Sequence, residues 1–105
     1  MDTEYKLIFT AESRNEIKKI YNYISKELYA EGAAKELMEK IEESVNNLKH
    51  FPFMHQKVDK YGGVNKEYRR VVVKNFIIIY DIEKDNKTVY IDHIFYGGSN
   101  YSNKI

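Results

Sequence analysis

The sequence predicts a small α+β protein, a single domain over residues 1–105 with the element order β-α-α-β-β-β. Three observations predict this class: the length of 105 residues, two stretches with helical spacing of apolar residues, and three consecutive β-branched and aromatic runs in residues 68–101. A chain of this length forms one core. We therefore expect an antiparallel meander sheet with a two-helix hairpin on one face.

The N-terminal third predicts a short strand and a first helix. Residues 5–9 form an apolar run that is typical of a strand, and Thr10 follows it as a candidate N-cap. Gly32 is expected to break or cap the helix at its other end. The apolar stripe of this helix comprises Ile17, Ile20, Tyr21, Ile24 and Leu28.

A second helix is predicted between Gly32 and Pro52. Proline excludes the preceding residue from helical geometry, so we expect Pro52 to end this helix. Residues 53–67 then predict a loop, which is long enough to be functional. The apolar face of the second helix comprises Ala34, Leu37, Met38, Ile41, Val45 and Leu48.

The turn between the first two strands of the meander decides which side chains share a face. If Lys74 and Asn75 form a two-residue turn, Val73 lies opposite Phe76, and every second residue from this pair shares its face. The first face, which we expect to contact the helices, then carries Arg69, Val71, Val73, Phe76, Ile78 and Tyr80. The second face carries Arg70, Val72, Ile77, Ile79 and Asp81.

The second face raises the question of what covers it. Val72, Ile77 and Ile79 are apolar, and the two predicted helices are already assigned to the other face. We therefore expect these three side chains to form an exposed apolar surface for a partner, bordered by Arg70. The alternative is that the C-terminal tail or the 53–67 loop folds over them.

The charge pattern points to the same surface. Residues 45–80 carry 7 Lys/Arg against 2 Asp/Glu, whereas the net charge of the chain is only +1. We expect Lys57, Lys60, Lys66 and Lys74 to flank the second face. A basic rim of this kind suits an acidic amphipathic peptide as well as RNA, although the charges alone favour an ordinary solvated surface.

Other classes of function are disfavoured. The chain has no cysteine and therefore no disulfide or thiolate metal site, and its three histidines lack the spacing of metal ligands. We expect no cofactor, and we expect His93 to be a hydrogen-bonded sheet residue and not a catalytic base. No apolar run approaches the roughly 20 residues that span a membrane, so we expect a cytoplasmic protein without membrane contact.

Four segments carry a family resemblance: LIFTAESRNEIKKIYNYI, LKHFP, YRRVVVKNFIIIYDI and VYIDHIFYGGSNY. In this order and spacing they resemble the RelE/ParE superfamily of bacterial type II toxins, which includes the plasmid stabilization proteins. The resemblance implies the β-α-α-β-β-β fold reached above. It also implies a growth-inhibiting toxin that is neutralised by a cognate antitoxin, whose chain wraps over it.

The chain departs from the ribonuclease branch of this superfamily at its cationic positions. The resemblance places Ile77 where those enzymes have an arginine, Gly98 and Ser99 where they have basic residues, and Tyr96 where they have a histidine. Groups that would stabilise charge on a scissile phosphate are therefore missing. This favours the ParE branch, whose members bind an essential target, in the best-known cases DNA gyrase.

Two alternatives stay open. A ribosome-dependent mRNA endoribonuclease would have to use Arg70, Tyr96 or Tyr101 and a lysine of the 57–66 loop, and a degenerate member would keep antitoxin binding alone. We expect a homodimer or a hetero-oligomer with the antitoxin. The residues predicted to contact antitoxin or target are Lys57, Lys60, Arg70, Val72, Lys74, Ile77 and Ile79.

Overall fold

A computed structural model of the protein describes residues 4–58 and 67–97, and it confirms the α+β class. The described helices are α1 (Ala11–Asn22), a π-helix (Tyr23–Glu27) and α2 (Glu31–Asn47). The strands are β1 (Lys6–Phe9), β2 (Gln56–Lys57), β3 (Glu67–Val73), β4 (Phe76–Glu83) and β5 (Thr88–Tyr96). The predictions for Lys60, Lys66, Gly98, Ser99 and Tyr101 lie outside the described residues.

The strands form one mixed sheet in the order β1-β5-β4-β3-β2. The antiparallel meander of β3, β4 and β5 is as predicted. Two features were not predicted: β1 pairs in parallel with β5, and β2 pairs with β3 inside the segment predicted as a loop. Parallel pairing requires a long connection between the two strands, and here both helices and the strands β2, β3 and β4 lie between β1 and β5.

The β3–β4 turn confirms the predicted register. Lys74 and Asn75 form the turn, Val73 lies opposite Phe76, and the pairing continues without a shift along β3. Lys74 has a φ of 54°, in the left-handed region that tight hairpin turns use. The assignment of β3 and β4 side chains to two faces is therefore correct.

The first helix begins where predicted and ends differently. The Thr10 hydroxyl accepts a 3.2 Å hydrogen bond from the Ser13 amide, as an N-cap does. The prediction that Gly32 ends this helix is wrong, because Gly32 lies in the first turn of α2. Instead, α1 passes into the π-helix and the helical path stops at Tyr29, which has a φ of 51°.

The second helix has the predicted apolar face, and all six of its side chains are buried or partly buried. The helix ends at Asn47, however, five residues before Pro52. Hydrogen-bonded turns continue to Phe51, whose amide bonds the Asn47 carbonyl. Pro52 therefore does not end the helix, and its buried ring lies where the chain turns toward the sheet.

The main core lies between the helices and the first face of the sheet. It contains Val71, Val73, Ile78 and Tyr80 of the predicted face, with Leu37, Ile41, Val45 and Leu48 from α2 and the turn that follows it. Leu7 and Phe9 of β1 pack against it, as do Ile17, Ile20 and Ile24 of the predicted stripe. This confirms that both helices cover one face.

The second face corrects the sequence analysis. Ile77 is 6% exposed and Ile79 is 0% exposed, so the predicted exposed surface is wrong for both, and it is correct only for Val72, which is 60% exposed. Ile77 and Ile79 form a small cluster with Phe95, against which Val58 and Tyr68 pack. Val58 belongs to the 53–67 segment, so the alternative in which that segment folds over the face accounts for part of the cover.

Candidate functional site

Arg69 and Arg70 are adjacent on β3 and point to opposite faces of the sheet, as predicted. Arg69 is on the helix side. Its Nε donates a 2.8 Å hydrogen bond to Glu67, and its Nη1 donates to the main-chain carbonyls of Phe53 and His55. Arg69 therefore lies on the predicted face and anchors a carboxylate and a loop.

The segment that Arg69 holds is fastened by a second contact. The buried Tyr80 hydroxyl donates a 2.7 Å hydrogen bond to the Pro52 carbonyl. The Arg69 guanidinium also lies 5.3 Å from the centre of the Phe53 ring, and the Lys84 ammonium lies 5.5 Å from it. This end of the sheet is thus a network of charges and aromatic rings that fixes residues 52–55.

The environment of this network shifts the pKa values of three residues, His55, Glu67 and Tyr80. Burial and the nearby Arg69 charge lower the pKa of His55. Burial alone would raise the pKa of Glu67, but the hydrogen bond and the charge of Arg69, with Lys57 and Lys84, lower it. Burial raises the pKa of Tyr80 well above its usual range, so at neutral pH its hydroxyl is a hydrogen-bond donor and not a base.

Arg70 lies on the second face with few contacts. Its Nη2 donates a 3.2 Å hydrogen bond to the exposed side-chain amide of Gln56 on β2, which is opposite it in the sheet. Val72, two residues further along β3, is exposed on the same face. Arg70 and Val72 are therefore the parts of the predicted binding surface that the described structure leaves open.

The predicted basic rim is wrong for two lysines. Lys57 lies opposite Arg69 in the sheet, so it shares the face of the Glu67 network and not that of Arg70. Lys74 lies at the turn with its ammonium 3.4 Å from the Glu36 carboxylate of α2. A one-residue difference in strand register is enough to move a side chain to the other face. Among the rim cations that the structure describes, only Arg70 is on the second face.

Tyr96 is also separated from Arg70. It lies opposite Phe76, a residue of the first face, and the two rings meet edge to face at 5.9 Å. The structure therefore places Arg70 and Tyr96 on opposite faces of the sheet. Tyr101, the third residue considered for cleavage, lies outside the described residues.

The sequence analysis missed an apolar groove of about 580 Å³ between the first helical segment and the ends of β4 and β5. Its rim includes three large side chains that stay exposed: Tyr23 at 56%, Leu28 at 53% and Tyr96 at 57%. Leu28 continues the helical stripe in the sequence, which is why the pattern assigned it to the core. The sequence signal was present, because Tyr23 is an aromatic residue next to that stripe. The main apolar lining comprises Ile20, Tyr23, Ile24, Leu28, Phe76, Ile94, Phe95 and Tyr96.

The groove wall has an irregular backbone. The Leu28 amide bonds the Tyr23 carbonyl five residues back, so side chains beyond Ile24 no longer follow the α-helical spacing. Tyr29 adopts a left-handed conformation, which costs a non-glycine residue roughly 1–2 kcal/mol. Within the part of the chain that the structure describes, the buried Ser25 hydroxyl has no hydrogen-bond partner, which typically costs about 1–3 kcal/mol. Such local costs cluster at functional sites.

The edge of β5 beside the groove is capped by a side chain. One Glu16 carboxylate oxygen accepts a 2.9 Å hydrogen bond from the Ile94 amide, and the other lies 3.2 Å from Nδ1 of His93. His93 is therefore a hydrogen-bonded sheet residue, as predicted. Over residues 4–58 and 67–97 there is no cluster of three His, Cys, Asp or Glu side chains suited to a metal. No helix in the same ranges is both long and apolar enough to span a bilayer.

Comparison with solved structures finds the same fold in three toxin–antitoxin systems. The chromosomal ParDE system of P. aeruginosa aligns with a TM-score of 0.71 at 15% identity, over 90% of this chain and 98% of that one. The archaeal RelE–RelB complex of Pyrococcus horikoshii aligns with a TM-score of 0.61 at 13% identity, over 90% of this chain and 97% of that one. The RelBE2 toxin–antitoxin complex of Mycobacterium tuberculosis aligns with a TM-score of 0.58 at 17% identity, over 91% of this chain and 94% of that one. At identities this low, the structural alignments establish a shared fold and nothing more.

The sequence itself identifies the family. No curated protein sequence matches the chain. The model of one protein family, described as the ParE toxin of the type II toxin–antitoxin system parDE, matches residues 7–101 and so spans nearly the whole chain. The predicted superfamily resemblance is confirmed, and the chain belongs to the ParE toxin family of type II toxin–antitoxin systems.

Proposed function

We propose that this protein inhibits growth by binding an essential target, with DNA gyrase as the candidate, and that a cognate antitoxin neutralises it. The antitoxin part is supported by the similar structures, which are described as a ParDE system, a RelE–RelB complex and a toxin–antitoxin complex. The gyrase part is supported by the family, because the ParE branch is the one associated with this target.

One observation carries the choice of binding over RNA cleavage: the side chains that cleavage would need do not converge. Ile77 occupies the expected arginine position and is buried among apolar residues. Arg70 and Tyr96 lie on opposite faces of the sheet. Stabilising a transition state requires cationic groups aimed at one developing charge, and the described residues do not provide that arrangement.

The direct test is induction of the chain alone in a bacterial host, followed by assays of supercoiling and of RNA. We expect growth arrest, inhibition of purified gyrase in a supercoiling assay, and intact messenger RNA during the first minutes. Codon-specific cuts mapped by primer extension within that time would contradict the proposal and favour the endoribonuclease. Unimpaired growth would contradict it in favour of a non-toxic member.

Arg70→Ala supplies a matched variant for the same experiment. The hydrogen bond of Arg70 to Gln56 is exposed, so loss of the Arg70 side chain should leave the fold intact. An endoribonuclease that depended on Arg70 would lose about 10²–10³ in cleavage rate. A binding toxin should show no RNA cleavage with or without Arg70, and any change should appear as weaker gyrase inhibition.

A further inference from the structure

We propose that a patch of aromatic rings and lysines at one end of the first sheet face binds single-stranded nucleic acid, stacking its bases and pairing with its phosphates. This activity goes beyond the proposed growth inhibition and does not depend on it. The aromatic–lysine patch consists of Phe51, Phe53, Met54, Lys57 and Lys84. Its contact with Arg69 places it on the opposite side of the sheet from Arg70, so it is not the surface that the sequence suggested.

Three large apolar side chains of the patch are exposed within four consecutive residues. Phe51 is 59% exposed, Phe53 is 40% exposed and Met54 is 63% exposed. Single exposed apolar residues are ordinary, whereas several side by side are typical of an interaction site. Pro52 lies between the two rings and is buried, so the segment is seated on the protein while both rings remain accessible.

The backbone beneath these rings is held in place. The Tyr80 hydroxyl donates a 2.7 Å hydrogen bond to the Pro52 carbonyl, and Arg69 Nη1 donates a 3.1 Å hydrogen bond to the Phe53 carbonyl. The Phe53 ring also meets the Tyr5 ring edge to face, with the ring centres 6.2 Å apart. A ligand that stacks on this segment would therefore meet a preformed surface, which lowers the ordering cost of binding.

The charges beside the rings are in positive excess. Lys57 lies opposite Arg69 in the β2–β3 pair and Glu67 lies two residues before Arg69, so the three side chains share the first face. Lys84 joins them, because its ammonium lies 5.5 Å from the centre of the Phe53 ring. The Glu67 carboxylate is bound by Arg69, which leaves the charges of the two lysines in excess next to the rings. Such an excess attracts a polyanion.

The closeness of cations and rings selects the class of polyanion. The Arg69 guanidinium and the Lys84 ammonium lie 5.3 and 5.5 Å from the centre of the Phe53 ring. Each nucleotide joins a flat base to a phosphate, so a single strand supplies a group for the ring and a group for the cation in every repeating unit. The bases of a duplex are stacked on one another, and a duplex would contact the lysines alone. An acidic peptide would need separate apolar and carboxylate side chains to make the same contacts.

The test is fluorescence anisotropy of the full chain with labelled single strands of about 12 nucleotides, a length within the usual site sizes of strand-binding domains. One arm uses oligo(dT) and the other oligo(U), so a preference identifies DNA or RNA as the ligand, and either preference supports the proposal. We expect binding at low salt, and Phe51→Ala should weaken it about 10-fold, the effect of losing one base stack. Tyr29→Ala is the matched control and should bind like wild type, because Tyr29 is 91% exposed and lies at the other end of α2.

The salt dependence tests the lysines separately. For single strands, the logarithm of the binding constant falls with the logarithm of the salt concentration, with a slope of about 0.7 per phosphate contact. Lys84→Ala should therefore weaken binding and reduce this slope by about 0.7. Lys35→Ala, which removes an exposed lysine of α2, should leave the slope unchanged. Phe51 and Lys84 are both exposed, so we expect both variants to keep the fold, and circular dichroism melts check this.

The other outcomes overturn the proposal. It fails if wild type binds neither strand at low salt, or if Phe51→Ala binds the strands as tightly as wild type. Equal affinity for a duplex of the same length would show a charge contact without base stacking. Tighter binding of a peptide of alternating glutamate and phenylalanine, lost in Phe51→Ala and Lys84→Ala, would assign the patch to an acidic protein partner. None of these results affects the growth-inhibition proposal, which the supercoiling assay tests by itself.

Discussion

Two neighbouring arginines provide a sharp test of the structure, because replacing each by alanine removes the same chemical group. Arg69→Ala should strongly lower the free energy of unfolding, whereas Arg70→Ala should hardly change it. The difference arises from strand geometry, since alternate residues of β3 face opposite sides of the sheet.

The magnitude follows from the contacts of Arg69. Its guanidinium donates to the Glu67 carboxylate and to the carbonyls of Phe53 and His55, and its side chain is only 11% exposed. Hydrogen bonds to charged groups contribute about 1.5–3 kcal/mol each, but they are not additive, and water can reach part of Glu67 after the change. We expect a net loss of about 3 kcal/mol, which lowers Tm by roughly 12 °C for a chain of this length.

Thermal and urea unfolding of both variants, followed by circular dichroism, measures the effect. Arg70 donates one exposed hydrogen bond to Gln56, so its variant should stay within about 0.5 kcal/mol of wild type. Arg69→Lys would keep the charge and lose the forked geometry, and we expect an intermediate stability. Equal losses for the two alanine variants would refute the assignment of β3 side chains to faces.

Three further outcomes are expected. Tyr80→Phe should lower the free energy of unfolding by about 1–2 kcal/mol, because the buried Tyr80 hydroxyl donates a 2.7 Å hydrogen bond to the main chain. The control Tyr90→Phe removes an exposed contact and should change the free energy of unfolding by less than about 0.5 kcal/mol in the same melts. The lowered pKa of His55 means that the unfolded chain takes up its proton first, so stability should fall as pH drops below 6.5 and level off below the folded pKa. His55→Gln should remove this pH dependence of the free energy of unfolding, as measured by urea titration. Glu67→Gln should preserve the His55 effect and remove a separate loss of stability, which develops as pH falls below 4.5. Ile77→Arg should destabilise the fold by about 3 kcal/mol or more and should not create ribonuclease activity, since it places a charge in a buried apolar cluster; a stable, RNA-cleaving variant would contradict this.

The sequence was sufficient to predict the parts of the fold that depend on the spacing of apolar residues within a single helix or hairpin. A two-residue turn at Lys74 and Asn75, together with the alternation of side chains along each strand, is enough to determine the pairing of β3 with β4. The α2 face followed from helical spacing in the same way. These predictions concern residues close together in the chain, for which the spacing of apolar residues in the sequence directly indicates which side chains share a face.

The missed features depend on residues far apart in the chain. The cover that Val58 gives the second-face cluster, and the pairing of β2 that sends Lys57 to the Arg69 side, are tertiary contacts without a local pattern. The groove was missed for a different reason. The π-helix changes the angular spacing of side chains, so a stripe read at helical period assigned Leu28 to the core although it is exposed.

The burial of Ile77 changes what its departure from the ribonuclease pattern means. On an exposed surface, an isoleucine in place of an arginine would only lack a cation, and one substitution could restore it. Here Ile77 packs with Ile79 and Phe95, so the position contributes to a second small core. A cation could return only if that cluster were rebuilt around it, since an unpaired buried charge is strongly unfavourable. The fold therefore uses this position for stability, and a cation that acts on RNA would have to come from another position in the chain.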